Sequence, residues 1–501
     1  MNTADYLLAD PDGAGLARPA LMTSERSTSY LELRQAAAQM LQTLQHLGIQ
    51  PGDQVGLLGA NSIFWVASYL AILKLGAVVV PLAAVASPEE WKRNLAFAQC
   101  KVVCVEQRSK PKLVGLLPTG LSLLDERALE QDHAPVWPQT DAAFDENRAA
   151  AIMFTSGTTA QPRGVRITHR NLQANTNSII ADLALTNDER MLVVLPFYYC
   201  FGLSLLNTHL RVGASLVLCN SFAFPETVLD TLDKLSCTGF AGVPSTFQML
   251  LRNSTYPQRQ FKTLRRIQQA GGKLPNVLID ELIAATPHAT LHVMYGQTEA
   301  TARLSSLPPQ FLSAKRGSIG KGIPGVTLRV VNDMGDDVQP GETGEILAQG
   351  ASISSGYLDD AEATEQKFVA GALRTGDLAT VDEDGFIYIV DRKSDFIKSF
   401  GYRISSQQIE ACVMELADVV SAAAIGKPNE VSGEAVEVFV VLRDGAQLQP
   451  EQIVTHCAQR LPRYMLPHNV FVLDKLPLNS SGKVVKSELK KLCAESPVSS
   501  I

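Results

Sequence analysis

The N-terminal part of the chain alternates between two patterns of apolar positions. Residues 30–47 and 64–75 place apolar side chains at helical spacing. Residues 54–58, 77–82 and 101–105 are short apolar runs bounded by glycine or polar residues, as expected of buried strands. Helices that alternate with strands predict an α/β layer fold with a largely parallel sheet.

The C-terminal part repeats this alternation on a smaller scale. Residues 406–416 and 450–461 have helical spacing, and residues 422–425, 436–442 and 469–472 read as short strands. These segments are enough for a compact unit of their own. Because 501 residues exceed what one hydrophobic core normally holds, we expect two or more domains.

Composition narrows the class of protein without assigning a function. Apolar residues make up 46% of the chain and charged residues 19%, which is typical of a soluble globular enzyme. A net charge of −7 argues against nucleic-acid binding as the main role. The eight cysteines form no C-x-x-C pair, which favours reduced core thiols in a cytoplasmic protein. The N-terminus lacks a signal-peptide pattern, and no run of roughly 18 apolar residues predicts a membrane span or a membrane partner.

A loop rich in small hydroxylated residues interrupts the apolar pattern at residues 153–168, MFTSGTTAQPRGVRIT. Small residues between two strands leave backbone N–H groups free to approach an anion, and hydroxyls and a guanidinium add further donors. The candidate phosphate ligands are Thr155, Ser156, Gly157, Thr158, Thr159 and Arg163. The loop lacks the Gly-Lys-Ser/Thr end of a P-loop, so alone it could equally be a polar hairpin turn.

Three further motifs follow this loop along the chain. In the first, an apolar run ends in Y-G-Q-T-E at residues 295–299. In the second, a glycine turn precedes Asp377 and a strand then ends in Asp391-Arg392. In the third, a Ser/Gly turn presents Lys483. A carboxylate suits Mg²⁺ or the hydroxyls of a ribose. A lysine can offset charge that develops on a phosphate and on an attacking carboxylate. Each motif taken singly could be a solvated turn.

Taken in order, the four motifs resemble those of the AMP-forming adenylating superfamily, which includes acyl- and aryl-CoA synthetases, peptide-synthetase adenylation domains and firefly-type luciferases. The resemblance extends from about Gly52 to Lys483. It implies a large N-terminal domain of α/β sheets with a distorted β-barrel, residues 1–393, and a small mobile α+β C-terminal domain, residues 394–501. It also implies two half-reactions: a carboxylate attacks the α-phosphorus of ATP to give acyl-AMP and pyrophosphate, and a thiol then attacks the acyl-AMP.

The resemblance assigns a role to each motif residue. Lys483, Thr298 and Glu299 would be catalytic, and Glu299 would also be the Mg²⁺ ligand. The other residues expected to bind ATP or AMP are Tyr295, Gly296, Gln297, Asp377, Arg392, Gly271, Gly272 and the phosphate-loop residues named above. The implied cofactors are therefore ATP and Mg²⁺.

The resemblance also implies an acyl pocket. Its lining residues would be Tyr198, Tyr199, Cys200, Ser204, Val243, Pro244 and Gly271. The usual His of CoA ligases falls at or near Tyr199, and the Asp that amino-acid-activating domains place against the substrate ammonium aligns near Cys200. Neither residue type is present, and an unpaired ammonium would cost several kcal/mol. We therefore expect a fatty, aryl or other largely apolar carboxylic acid, although the segment could instead be a packed core corner.

Departures from the family pattern affect the hinge and the acceptor. The chain has Ala160, Arg163 and Ser394 where Gly, Lys and Asp or Lys are usual; Ser394 would be the hinge, and Gly401 would line the thiol tunnel. Residues 460–467, RLPRYMLP, look more like carrier-protein-loading adenylation domains than like CoA ligases. We therefore expect the acceptor to be the phosphopantetheine arm of an acyl or peptidyl carrier protein, with free CoA as the alternative. A luciferase-like oxygenase and a non-catalytic nucleotide-binding relative remain open.

Overall fold

Helices and strands follow the alternation that the sequence predicts. A computed structural model of the chain describes residues 1–9, 15–117, 121–130, 135–139, 141–155, 163–220, 222, 224–393, 395–479 and 482–495. In these residues the strands are, in chain order, β1 (Pro19–Met22), β2 (Ser27–Ser29), β3 (Gln54–Leu58), β4 (Val78–Leu82), β5 (Val102–Val105), β6 (Ser122–Leu124), β7 (Ala149–Thr155), β8 (Arg163–Thr168), β9 (Arg190–Val193), β10 (Ser215–Leu218), β11 (Gly239–Gly242), β12 (Arg266–Gln269), β13 (Thr290–Gly296), β14 (Arg303–Leu307), β15 (Lys321–Gly322), β16 (Val326–Val331), β17 (Gly344–Gly350), β18 (Phe368–Val369), β19 (Ala372–Val381), β20 (Ile387–Arg392), β21 (Ile397–Ser399), β22 (Tyr402–Ile404), β23 (Val419–Asn429), β24 (Gly433–Leu442) and β25 (Asn469–Val472). The helices are α1 (Thr3–Leu7), α2 (Tyr30–His46), α3 (Ile63–Leu75), α4 (Pro88–Phe97), α5 (Lys110–Leu113), α6 (His169–Leu183), α7 (Cys200–Arg211), α8 (Pro225–Lys234), α9 (Pro244–Arg252), α10 (Asn276–Ala285), α11 (Ala361–Lys367), α12 (Ser406–Val413), α13 (Pro450–Ala458) and α14 (Lys486–Glu495).

Two mainly parallel sheets form most of the larger unit. One has the strand order β15-β14-β13-β12-β11-β9-β10-β1-β2, and the other has the order β6-β5-β3-β4-β7-β8. Helix α3 is apolar nearly all round and is therefore buried, in contact with α2 and with strands β3 and β4. Helix α2 begins at a capping box, in which Ser29 and Glu32 each satisfy the other's backbone N–H.

Two smaller sheets complete the fold. Strands β16, β17, β18, β19 and β20 form an antiparallel sheet before residue 393, in the part of the chain where the distorted barrel is expected. Strands β21 to β25 form a mixed sheet after residue 393. This confirms the predicted fold class, a large α/β unit followed by a small α+β unit. The mobility of the small unit and the boundary at residues 393 and 394 stay predictions.

Several elements of the small unit differ in length from the sequence prediction. The helices predicted over residues 406–416 and 450–461 end earlier, at Val413 and Ala458. The second of these approaches Pro462, and the residue before a proline disfavours helical geometry. Strands β23 and β24 are longer than predicted because they pair as one antiparallel hairpin whose polar tip carries no apolar alternation.

The two units are joined by a buried carboxylate next to the expected hinge. Asp391, at the end of β20, accepts hydrogen bonds from the Ser406 backbone N–H at 2.7 Å and from the Ser406 hydroxyl at 2.9 Å. It therefore ties the last strand of the large unit to the start of α12. Among the described residues, no helix combines the length and the apolar character needed to cross a membrane.

Candidate active site

A cavity of about 470 Å³ lies where strands of both parallel sheets end and the small unit meets the large one. Ligands of open α/β sheets bind at this edge because strand ends and their loops converge there. The predicted site residues that line the cavity are Thr155, Arg163, Tyr198, Tyr199, Cys200, Gly296, Gln297, Thr298, Glu299, Asp377, Arg392 and Lys483. Residues far apart in the sequence are thus brought to one place.

A smaller cavity of about 90 Å³ adjoins the first and shares Gly296, Asp377 and Lys483 with it. Its further lining includes Gly271, Gly272 and Tyr295, the residues expected beside adenine. Gly271 has a φ of +91°, and a Cβ there would lie 2.8 Å from Val243 Cγ1. Only glycine fits this position without strain, so the backbone passes close to the cavity.

The carboxylate of Asp377 forms the centre of the candidate ribose site. It accepts a hydrogen bond from the Tyr295 hydroxyl at 2.6 Å and one from Arg392 Nε at 3.2 Å. Burial, followed by the nearby Asp377 charge, raises the pKa of Tyr295 well above its ordinary value, so the phenol stays a donor. Gln297 Nε2 donates to the same tyrosine oxygen at 3.5 Å. These contacts orient the carboxylate toward the cavity that it lines.

The Glu299 carboxylate is held by a residue that the motif analysis did not single out. The short 3₁₀ turn Thr298–Ala300 presents Glu299, and the Tyr357 hydroxyl donates to its Oε1 at 2.8 Å. The Arg163 guanidinium lies over the Tyr357 ring, 5.2 Å from the centroid, and faces Asp360 at 3.7 Å. A carboxylate that lines a phosphate-sized cavity is the oxygen donor that Mg²⁺ prefers, so Glu299 fits a magnesium ligand.

Lys483 reaches the cavity from the small unit. Its backbone N–H donates to Asn479 Oδ1 at 2.9 Å, and the preceding Gly482 carbonyl accepts from Ser245 Oγ at 3.0 Å. The Lys483 ammonium lies 5.8 Å from the centre of the Tyr199 ring. Burial lowers the pKa of Lys483 and Arg392 lowers it further, whereas the acidic groups of the cavity oppose this shift.

The predicted acyl wall is largely aromatic and carries no carboxylate of its own. Burial raises the pKa of Tyr199 and of the Cys200 thiol, and Thr298 Oγ1 donates to Cys200 Sγ at 3.6 Å. Pro244 lines a neighbouring cavity of about 260 Å³ between the two units. Ser204 is buried, but its hydroxyl donates to the Phe201 carbonyl at 2.7 Å in the same helix, and it lines none of these three cavities.

The main cavity carries more positive than negative groups. Five cationic side chains line it, against the three carboxylates of Glu90, Glu299 and Asp377. One of the five, Lys367, was not singled out from the sequence; its Nζ donates to the Thr375 carbonyl at 2.8 Å, and burial lowers its pKa. Neither Lys367 nor Tyr357 belongs to a local motif, so only the structure identifies them. An excess of positive charge suits a polyphosphate.

Some predicted residues fall outside these observations. Ser156, Gly157, Thr158 and Thr159 of the phosphate loop and the hinge Ser394 lie outside the described residues. Gly401 has a φ of +80° in the turn between β21 and β22, and it lines none of the cavities described above. The roles of these residues stay predictions.

Two carboxylates of the large unit, Glu299 and Asp377, and Lys483 of the small unit line one cavity, as the resemblance to adenylate-forming ligases implies. The chain is an AMP-forming acid–thiol ligase of this class. It belongs to the AMP-binding enzyme family, which it matches over residues 12–358, and residues 408–483 match the C-terminal domain of AMP-binding enzymes.

Similar proteins cover nearly the whole chain. A long-chain-fatty-acid–CoA ligase of Yersinia pestis is 32% identical over 524 aligned positions, which cover 94% of this chain and 91% of that protein. The structure of the anthranilate CoA ligase AuaEII in complex with anthranoyl-AMP has a TM-score of 0.91 at 26% identity, covering 99% and 98% of the two chains. The o-succinylbenzoate CoA synthetase of Bacillus subtilis, solved with ATP and a magnesium ion, has a TM-score of 0.86 at 27% identity, covering 98% and 99%.

These comparisons bear on the alternatives that the sequence left open. They confirm the adenylating resemblance, and they favour a ligase over an oxygenase or a non-catalytic relative. ATP and a magnesium ion are bound in the o-succinylbenzoate CoA synthetase. They do not support the carrier protein as acceptor. All three relatives named above are CoA ligases or synthetases, which favours the alternative of free CoA.

Proposed function

We propose that this protein converts a carboxylic acid without an α-ammonium group to its acyl-AMP and then to its CoA thioester. The observation that carries this proposal is the position of Lys483, whose ammonium enters the cavity beside Glu299 and Asp377. A lysine at this point can offset the charge of the attacking carboxylate and of the α-phosphate.

The chain's own residues supply positioning and charge in the first half-reaction. Asp377 accepts the ribose hydroxyls, and Tyr295 and Arg392 hold its two oxygens in place. Thr298 and Lys483 would act at the α-phosphate. Glu299, oriented by Tyr357, would hold a magnesium ion, which would supply positive charge to the phosphates. Holding the carboxylate and the nucleotide in one cavity makes their reaction effectively unimolecular, which lowers the entropic part of the barrier.

The substrate class follows from the wall around Tyr199 and Cys200. No negative charge in this wall could pair with a substrate ammonium. Tyr199 offers an aromatic ring, Cys200 a neutral thiol, and Ser204 a hydroxyl that donates within its own helix. An apolar acyl or aryl group would instead gain by burial against this wall, at about 25 cal/mol per Å². Three relatives are named for acids with a large apolar part, a long-chain fatty acid, anthranilate and o-succinylbenzoate, and they support this class. An oxalate–CoA ligase of Arabidopsis thaliana, 30% identical, is named for an acid without one, so the support comes from the wall rather than from every relative.

Free CoA replaces the carrier protein that the sequence favours. That expectation relied on the likeness of segment 460–467 to carrier-loading domains and on its arginines, which could meet an acidic carrier protein by charge complementarity. Arg460 is, however, paired with Glu415, with Nε 2.7 Å from Oε2, so part of this positive charge is already offset. The sequence likeness of one short segment therefore counts for less than the agreement among whole-chain relatives.

Pyrophosphate release across a panel of acids tests the proposal. Fatty, aryl and dicarboxylic acids should be compared with common α-amino acids at equal concentration. We expect saturable release with an apolar acid, and saturable release with an α-amino acid alone would contradict the substrate class. The acceptor is then decided by competition between free CoA and a phosphopantetheinylated carrier from the same source. Faster turnover with the carrier at equal concentration would contradict CoA.

A further inference from the structure

Helix α9 of the large unit contacts the small unit at both of its ends. In the first turn, Ser245 Oγ donates to the Gly482 carbonyl at 3.0 Å. At the last residue, Arg252 Nη1 donates to the Ala417 carbonyl at 2.7 Å and to the Leu416 carbonyl at 3.4 Å. The helix has nine residues, so at 1.5 Å per residue its ends are about 12 Å apart. The small unit is therefore held at two separate points of one rigid element.

Arg252 is unusual because its charge is almost completely buried. Its side chain is 2% exposed and forms a two-pronged ion pair with Glu281 of α10, with Nε 3.0 Å from Oε2. A buried guanidinium is costly unless all its donors are satisfied. Glu281 accepts from Nε and Nη2, and carbonyls of the small unit accept from the donor Nη1. Moving that unit away would leave this donor without its carbonyls.

The carbonyls on the other side lie in the turn after α12. Leu416 and Ala417 follow the end of that helix at Val413, and the Leu416 carbonyl also accepts from the Val419 N–H at 3.0 Å within the small unit. The Ala417 carbonyl also accepts from Arg443 Nη2 of the small unit, at 3.3 Å. Arg252 of the large unit thus donates to carbonyls of the small unit. Its charge stays buried and paired only while the two units keep this relative orientation.

We propose that Arg252 is a positioning residue for adenylate formation. By holding the end of α12 while Ser245 holds the residue before Lys483, it sets the orientation that brings the Lys483 ammonium into the cavity. The Arg252 contact lies about 10 Å along α9 from the Ser245 contact. Together with Asp391, which holds the start of α12, these contacts limit rotation of the small unit. The inference rests on the proposed function, because the group that is positioned is the lysine of the first half-reaction.

The first test measures the position of Lys483 directly and needs no enzymatic activity. Arg252→Met removes the donors but keeps the apolar stem, and Arg252→Lys keeps the charge opposite Glu281 in case the Met variant does not fold. Arg259→Met is the matched control, since Arg259 is an ion-paired arginine of the large unit whose partners, Glu226 and Asp230, belong to the same unit. Acetylation by an amine-reactive reagent is followed by mass spectrometry, with the exposed Lys475 as internal reference. We expect Lys483 to react several-fold faster in Arg252→Met, somewhat faster in Arg252→Lys, and at the wild-type rate in the control.

The second test separates the two half-reactions. We expect Arg252→Met to slow single-turnover adenylate formation at least tenfold and to change thioester formation from supplied acyl-AMP less than twofold. Wild-type Lys483 labelling in both Arg252 variants would overturn the inference, and so would equal losses in the two half-reactions with no change in labelling. If the wild-type protein released no pyrophosphate with any acid, the proposed function would fail, and the labelling result would still decide the role of Arg252.

Discussion

Replacing Tyr357 by Phe tests whether this tyrosine orients the Glu299 carboxylate. The Tyr357 hydroxyl donates to Glu299 Oε1 at 2.8 Å, and burial, followed by the Glu299 charge, raises the pKa of the phenol so that it stays protonated. The Phe variant keeps the ring and its edge contact with Phe368, 5.8 Å between centroids. A hydrogen bond to a charged group contributes about 1.5–3 kcal/mol. If that contribution is made in the transition state, kcat/KM for MgATP falls roughly 10- to 150-fold.

The assay is pyrophosphate release at limiting ATP over a magnesium titration. We expect the Tyr357→Phe variant to need more magnesium as well as to turn over more slowly, because a poorly oriented Glu299 holds the ion less well. Tyr388→Phe is a matched control: its hydroxyl donates to the Asp382 carboxylate at 3.2 Å, and neither residue lines the main cavity. A loss below threefold with an unchanged magnesium midpoint would refute the reasoning, as would equal losses in both variants.

Two further predictions concern Lys483 and the buried histidines. Lys483→Ala is expected to abolish adenylate formation while leaving thioester formation from supplied acyl-AMP largely intact; separate assays of the two half-reactions measure this, and equal loss in both would contradict it. Burial lowers the pKa of His169 and His292 to about 3 and that of His209 to about 4. In the unfolded chain these histidines gain a proton below about pH 6.5, whereas in the folded protein they stay neutral. The free energy of unfolding should therefore fall as the pH drops from 6.5 toward 4, by about 2 kcal/mol per histidine at pH 5. Urea unfolding at pH 7 and pH 5 should show a smaller loss for His209→Gln than for wild type, and an identical loss would argue against the buried neutral imidazole.

The chemistry-bearing motifs could be predicted from the sequence because each is local. Residues 295–299 combine a strand end with an aromatic ring, a hydroxyl and a carboxylate, and such a combination has few other uses. The structure brings Thr298, Glu299, Asp377 and Lys483 to one cavity, as the resemblance implies. The alternation of helices and strands likewise predicted the α/β class, since period and turn residues depend only on neighbouring positions.

Residues that act through long-range contacts could not be predicted in the same way. Tyr357, Lys367 and Arg252 stand in ordinary segments, and their roles depend on partners far along the chain. Ser204 shows the reverse case. Its place beside Cys200 predicts a pocket-lining hydroxyl, but within a helix a serine can donate to a carbonyl three residues earlier, and here it does.

The burial of Lys483 suggests that nucleotide and lysine stabilise each other in the cavity. Burial and the Arg392 charge lower the pKa of Lys483 below its ordinary 10.5, and Cys200, Asp377 and Glu299 only partly oppose them. Triphosphate oxygens would add negative charge and raise this pKa, and by linkage the ammonium must then favour the nucleotide by the same free energy. Acetylation of Lys483 as a function of pH should therefore show a midpoint below 10.5 that rises when MgATP is added, with the exposed Lys475 as the reference for reagent reactivity. Identical midpoints for Lys483 with and without MgATP would mean that the lysine does not respond to phosphate charge, and its assignment to the first half-reaction would lose its electrostatic basis.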